Sequence, residues 1–137
     1  MSFETRLWNR LKMPTKHVVV CEDDLGNQAR IAAHFEKVFE PQGIVEFSFV
    51  PGGMHAAALF GWRTVDLVLL DHDMPYGNGA DLMKWMRSNG HKTPVLTFSG
   101  ISENNNILIQ LGANHYFGKG EIIDGKADAL IKQLLGV

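Results

Sequence analysis

Asp71 follows the apolar run Leu67-Val68-Leu69-Leu70 and precedes His72-Asp73-Met74-Pro75 and Gly77-Asn78-Gly79. A carboxylate at the end of a buried strand, facing a Pro/Gly loop, stands where an α/β protein presents chemistry to solvent. Glu22 and Asp23 hold the same kind of position after Val18-Val19-Val20-Cys21. If the two runs are neighbouring strands, three carboxylates meet at one point. At an effective dielectric of ~20, two unit charges ~4 Å apart repel by roughly 4 kcal/mol, so such a cluster calls for a cation between its members. Magnesium, with octahedral oxygen coordination from carboxylates, waters and phosphate oxygens, suits it. Asp23 and Asp71 are the expected direct ligands, with Glu22 direct or through water and the backbone carbonyl of Asp73 completing the protein's share. The competing role for acidic residues here is N-capping of the following helix; Asp24 is read as doing only that.

Two later positions fit a phosphoryl group. Thr97-Phe98-Ser99-Gly100 puts a hydroxyl just past a strand, with space beside it at Gly100. Lys119, in Tyr116-Phe117-Gly118-Lys119-Gly120, can pair with Asp71 or with a phosphoryl oxygen. Taken singly, Ser99 is a turn serine and Lys119 a surface lysine; the acidic cluster gives them a common purpose. Six histidines show no zinc-ligand spacing. His72 is placed to shape access to Asp71, and Cys21 reads as a buried strand residue.

Strands that could position these groups are expected at residues 17–21, 44–50, 65–70, 94–98 and 115–118. The first, third and fourth are almost continuously apolar, as in a parallel sheet covered on both faces. Helical periodicity lies between them: Ile31, Phe35, Val38 and Phe39, stopped by Pro41 and Gly43; Ala57, Ala58 and Trp62; Leu82, Trp85 and Met86, ended at Asn89-Gly90; Ile107, Leu108 and Leu111, closed by Gly112; and Ala127, Leu130, Ile131 and Leu134. Trp62 and Trp85 read as core or helix-face packing. Five strands alternating with five helices imply right-handed crossovers and a three-layer α/β fold, a doubly wound five-stranded parallel sheet. The flavodoxin-like strand order 2-1-3-4-5 is adopted rather than deduced; it makes the first and third strands neighbours and sets Glu22 and Asp23 facing Asp71.

A chain of 137 residues suits one domain, and 45% hydrophobic with 20% charged residues is ordinary for a globular protein. A net charge of −2 gives no reason to expect nucleic-acid binding. One cysteine excludes an internal disulfide and fits a reducing compartment. No run approaches a membrane span, and no secretory signal is apparent, so a cytoplasmic location is expected. Residues 1–15 form an N-terminal extension, in which Phe3, Leu7 and Leu11 share a helical face among Arg6, Arg10 and Lys12. It reads as a docked or frayed terminal helix. Residues 16–137 form the main domain.

The acidic pair after the first strand, "LLDHDMPYGNG", "PVLTFSG" and "LGANHYFGKG" together resemble the receiver domain of two-component response regulators over residues 17–135. The resemblance implies that Asp71 is a phospho-acceptor. It would take a phosphoryl group, with magnesium and Lys119 assisting, from a phosphohistidine on a sensor histidine kinase or histidine phosphotransfer protein. It implies that Ser99 turns to the phosphoryl oxygen and that Tyr116, the switch aromatic, moves inward. This would remodel a face made by the fourth helix, fifth strand and last helix for a downstream protein; pairing with a second copy is left open. Serine replaces the family's usual threonine, glycine its common alanine, and Gly120 a proline normally preceded by a cis peptide. A cis bond before a non-proline residue costs ~3 kcal/mol, so a trans bond is expected, and the aim of Lys119 is the point it affects. Only 18 residues follow Lys119, so a single-domain regulator acting by protein contact, not a classical enzyme, is expected. Two alternatives are a pseudo-receiver that only binds partners and a haloacid-dehalogenase-type phosphatase, which Asp71-His72-Asp73 imitates.

Overall fold

The computed structural model describes residues 1–12, 15–39 and 44–137. Five strands, β1 (Lys16–Cys21), β2 (Val45–Val50), β3 (Leu67–Leu70), β4 (Val95–Thr97) and β5 (His115–Tyr116), form a parallel sheet in the order β2-β1-β3-β4-β5. The expected topology is the one observed. Four strands are shorter than the apolar runs suggested: β2 begins at Val45, β3 begins at Leu67, β4 spans Val95–Thr97 and β5 ends at Tyr116.

Alternating side chains of the central strands feed two separate cores. Val18, Val20, Leu67, Leu69 and Leu96 pack on one face against Ile31, Phe35 and Phe39 of α2 (Leu25–Phe39) and against Ile131 and Leu135 of the last helix. Val19, Cys21, Val68, Leu70 and Val95 face Met83, Met86, Leu108 and Ala56 on the other side. Burial on both faces explains why these strands read as unbroken apolar runs instead of alternating ones.

The remaining helices are α1 (Phe3–Lys12), α3 (Gly53–Phe60), α4 (Gly79–Ser88), α5 (Ser102–Gln110), α6 (Lys119–Ile123) and α7 (Asp128–Leu135). Helix α6 was not expected. It starts where the Glu121 carboxylate accepts the Gly118 N–H at 2.9 Å, and Gly120 within it supplies a backbone N–H where proline would not. Trp62 lies beyond the end of α3 and is 85% exposed, so it is neither the core nor the helix-face residue expected. Phe3 and Leu7 on α1 are exposed too. Pro41 and Gly43, and the side chains of Arg10, Leu11 and Lys12, lie outside the described residues. No helix among the described residues is long and apolar enough to cross a membrane.

Candidate functional site: an acidic cluster at the ends of β1 and β3

Register places the site. Cys21 pairs with Leu70, and the ladder runs one step further, with the Asp71 N–H donating to Cys21 O (3.1 Å) and the Glu22 N–H to Val50 O (3.0 Å). Glu22 and Asp71 therefore leave adjacent strands side by side. Both are buried, whereas Asp23 is exposed at the rim. Carboxylate oxygens of all three lie within 4.8 Å of one another. Asp24 takes the expected capping role, its Oδ1 accepting the Asn27 N–H at 2.8 Å.

Lys119 reaches into the cluster from the start of α6. Its Nζ is 3.1 Å from Asp71 Oδ2 and 3.2 Å from Glu22 Oε2. Asp71 Oδ1 accepts the His72 N–H at 2.8 Å, and Glu22 Oε1 accepts the Asp24 N–H at 3.1 Å. Glu22 Oε2 is buried and, despite its ion pair, lies in hydrogen-bonding geometry with nothing. Burial pushes the Asp71 carboxyl above its ordinary value; Lys119 and the His72 N–H pull the other way without cancelling it, and Asp23 adds to the rise. Burial lowers the Lys119 ammonium, but Asp71 and Glu22 outweigh it and hold it above its ordinary value. One ammonium is thus set against three acids. The surplus of hard carboxylate oxygens, one of them buried without a hydrogen bond, fits a divalent magnesium ion.

The loop after Asp71 is held by backbone alone at two points. The first N–H groups of α3 donate out of the helix, Gly53 to Gly77 O (2.8 Å) and Met54 to Tyr76 O (3.0 Å). Gly52 is pressed so close that an added Cβ would lie 2.3 Å from Pro75 O. The loop then enters α4 through a capping box, Asn78 Oδ1 accepting the Asp81 N–H at 2.9 Å. Asp73 turns its carboxylate outward, to His72 Nδ1 (3.1 Å) and Asn104 Nδ2 (3.4 Å).

Ser99 follows β4 and is buried, its Oγ accepting the Ile101 N–H at 3.3 Å. A Cβ on Gly100 would meet Lys119 Cδ at 3.9 Å, so the space expected beside the hydroxyl exists. Tyr116, 60% exposed, ends β5 with its ring outward. No peptide among the described residues is cis, so the Lys119–Gly120 bond is trans as expected.

Sequence reasoning passed over Asn105. Its buried amide receives Thr97 Oγ1 (2.7 Å) and the Ser99 N–H (3.0 Å), and donates to Ser99 O (3.0 Å) and Phe117 O (3.4 Å). The signal was available: Asn105 lies three residues before buried Leu108, so it is a polar residue on the apolar face of α5. The packing of Gly52 against Pro75 was also missed, because a close approach of two loops leaves no periodic trace.

A profile of the response regulator receiver domain matches residues 18–130. A protein-glutamate methylesterase/protein-glutamine glutaminase of Trichodesmium erythraeum is 32% identical over 84 residues, 58% of this chain but 24% of that protein. The chain thus spans about a quarter of that curated relative. Among solved structures, a Francisella response regulator receiver domain is 27% identical with a TM-score of 0.71, covering 89% of this chain and 98% of its own. The receiver domain of a sensor histidine kinase from Pseudomonas aeruginosa, solved with magnesium in its active-site cleft, is 19% identical with a TM-score of 0.75, covering 90% and 99%.

Proposed function

This chain belongs to the response regulator receiver family, and from that premise we propose that Asp71 is its phospho-acceptor. The observation that carries the reading is the meeting of Glu22, Asp23 and Asp71 with the Lys119 ammonium at the carboxyl ends of adjacent strands. A carboxylate oxygen of ionised Asp71 attacks the phosphorus of a phosphohistidine on a sensor histidine kinase or histidine phosphotransfer protein. The O–P bond forms as the N–P bond breaks, and the imidazole departs with the bonding pair and takes up a proton. Lys119 exchanges its contact with Asp71 for one with a phosphoryl oxygen. Glu22, Asp23, Asp71 and the Asp73 backbone carbonyl would hold magnesium, whose charge would offset that of the phosphoryl group.

The response follows from the same residues. Ser99 is close-packed and its hydroxyl accepts only one backbone N–H among the described contacts, so it is free to donate to a phosphoryl oxygen. Tyr116 is exposed and turns inward as Ser99 moves. This biases the face made by α5, β5 and the C-terminal helices between two packings, and a downstream protein reads the result. The phosphatase alternative needs Asp73 as an acid beside Asp71; its carboxylate contacts His72 and Asn104 instead. The test is incubation with magnesium and phosphoramidate. Intact mass should rise by one phosphate and stay unchanged in Asp71→Asn; an unmodified wild-type protein across several donors would overturn the reading.

A further inference from the structure

Resting on the phospho-acceptor reading of Asp71, we propose that Asn105 is a positioning residue that couples the Ser99 segment to the loop carrying Lys119. Its side chain is the one group that bonds both Ser99 and Phe117 in the described residues. It grips Ser99 by both backbone groups, accepting its N–H at 3.0 Å and donating to its carbonyl at 3.0 Å. It also donates to Phe117 O at 3.4 Å, two residues before Lys119. On the phospho-acceptor reading, Ser99 and Lys119 are the two side chains that take up the phosphoryl oxygens on Asp71. The amide therefore sets the spacing between them.

The chemistry selects asparagine. A backbone N–H and the Thr97 hydroxyl offer protons to one side of the group, and two carbonyls demand protons from the other. Only a primary amide of this length satisfies both sides, and its orientation is fixed by partners that cannot exchange roles. Aspartate would set a carboxylate against two carbonyl oxygens; an apolar side chain would strand three buried polar groups and a partly buried one. Asn105 also stands in α5, so any shift of the Ser99 backbone toward the phosphoryl group is passed to that helix and to residues 117–119 together. The coupling runs through hydrogen bonds of two loops and one helix, not through the sheet ladder.

The experiment compares phosphorylation by phosphoramidate in magnesium, followed by intact mass, for wild type, Asn105→Asp, Asn105→Ala and Thr97→Val. The Asn105 variants should fall in rate by about tenfold or more, as displaced reacting groups do, while magnesium affinity read by Trp fluorescence is unchanged. Thr97→Val removes a bond to the same amide without freeing either loop, and should keep a rate within about twofold of wild type. In wild type, the backbone NMR resonances of Ser99 and residues 117–119 should shift together on phosphorylation, which needs no variant to fold. Folded Asn105 variants with wild-type rates, a Thr97→Val rate as low as theirs, or a Ser99 shift without one at 117–119 would each overturn the coupling. A wild-type protein that takes no phosphate overturns the acceptor reading, and this one with it; phosphorylated wild type with the other failures overturns this one alone.

Discussion

Lys119 Nζ lies 3.2 Å from Glu22 Oε2, a fully buried oxygen that accepts no hydrogen bond. The ammonium is therefore the main compensation for an acid that water cannot reach, and it serves Asp71 at 3.1 Å as well.

Lys119→Ala should destabilise the protein for that reason. Stripping one partner from a buried pair costs several kcal/mol, and the one-third exposure of this lysine discounts it to ~2 kcal/mol. Magnesium replaces the lost positive charge, so the gap from wild type should narrow as magnesium is added. Urea denaturation with and without the ion measures both; a gap that is constant in magnesium would contradict the charge account.

Asp71→Asn should act in the opposite direction. An acid whose pKa is raised on folding supports the native state only while protonated. Its contribution is complete below the ordinary carboxylate value of about 4 and is lost as pH rises through the raised value. At neutral pH the ionised Asp71 thus costs stability, while asparagine leaves Lys119 and Glu22 paired one to one. Without magnesium, Asp71→Asn should be more stable than wild type at neutral pH, and the advantage should shrink as pH is lowered toward the carboxylate range. A variant less stable than wild type at neutral pH would refute this.

Gly52→Ala tests the loop after the acceptor. The backbone at Gly52 is extended and tolerates any residue (φ −162°), so the objection is purely steric: the new methyl would sit 2.3 Å from Pro75 O and 3.1 Å from Tyr76 O. Two backbones must part, at a cost of ~2 kcal/mol, and the Gly53 and Met54 hydrogen bonds to residues 77 and 76 should loosen. Amide exchange should quicken at Gly53 and Met54 while β1 stays protected. A thermal midpoint equal to that of wild type would show that the loop yields freely.

These cases mark what the sequence made legible. Val18–Cys21 and Leu67–Leu70 are apolar without interruption because both sheet faces are covered, so the strands and the acids after them could be read directly. Ser99 and Lys119 were placed by motif order, and Lys119 does reach the cluster. Helix α6 could not be read, because its apolar pattern is one turn long and its start depends on a Glu121 contact to a glycine N–H. Trp62 was misassigned because the helix ends at Phe60, two residues before the pattern seemed to stop. Gly52 acts through a close approach of two distant segments, which no local window contains, whereas Asn105 did leave a local trace, a polar residue on the apolar face of α5.

Asp23 differs from its neighbours in being exposed, and this makes it the cleanest probe of the cation. Removing it relieves repulsion without opening a cavity or orphaning Lys119, so Asp23→Ala should fold at least as stably as wild type in the absence of magnesium. A ligand bound only by the native state stabilises it by about 2.7 kcal/mol at a concentration one hundred times its Kd, so wild type should gain steadily as magnesium is titrated. In Asp23→Ala the concentration needed for the same gain should rise by about tenfold or more, the loss found even for groups that merely support a metal ligand. Thermal melts across a magnesium series measure both curves. Because Glu22 and Asp71 remain, calcium, with its longer and more adaptable bonds, should lose less than magnesium does. Superimposable magnesium curves for the two proteins would remove Asp23 from the ligand set and leave the ion, if it binds at all, to the buried pair.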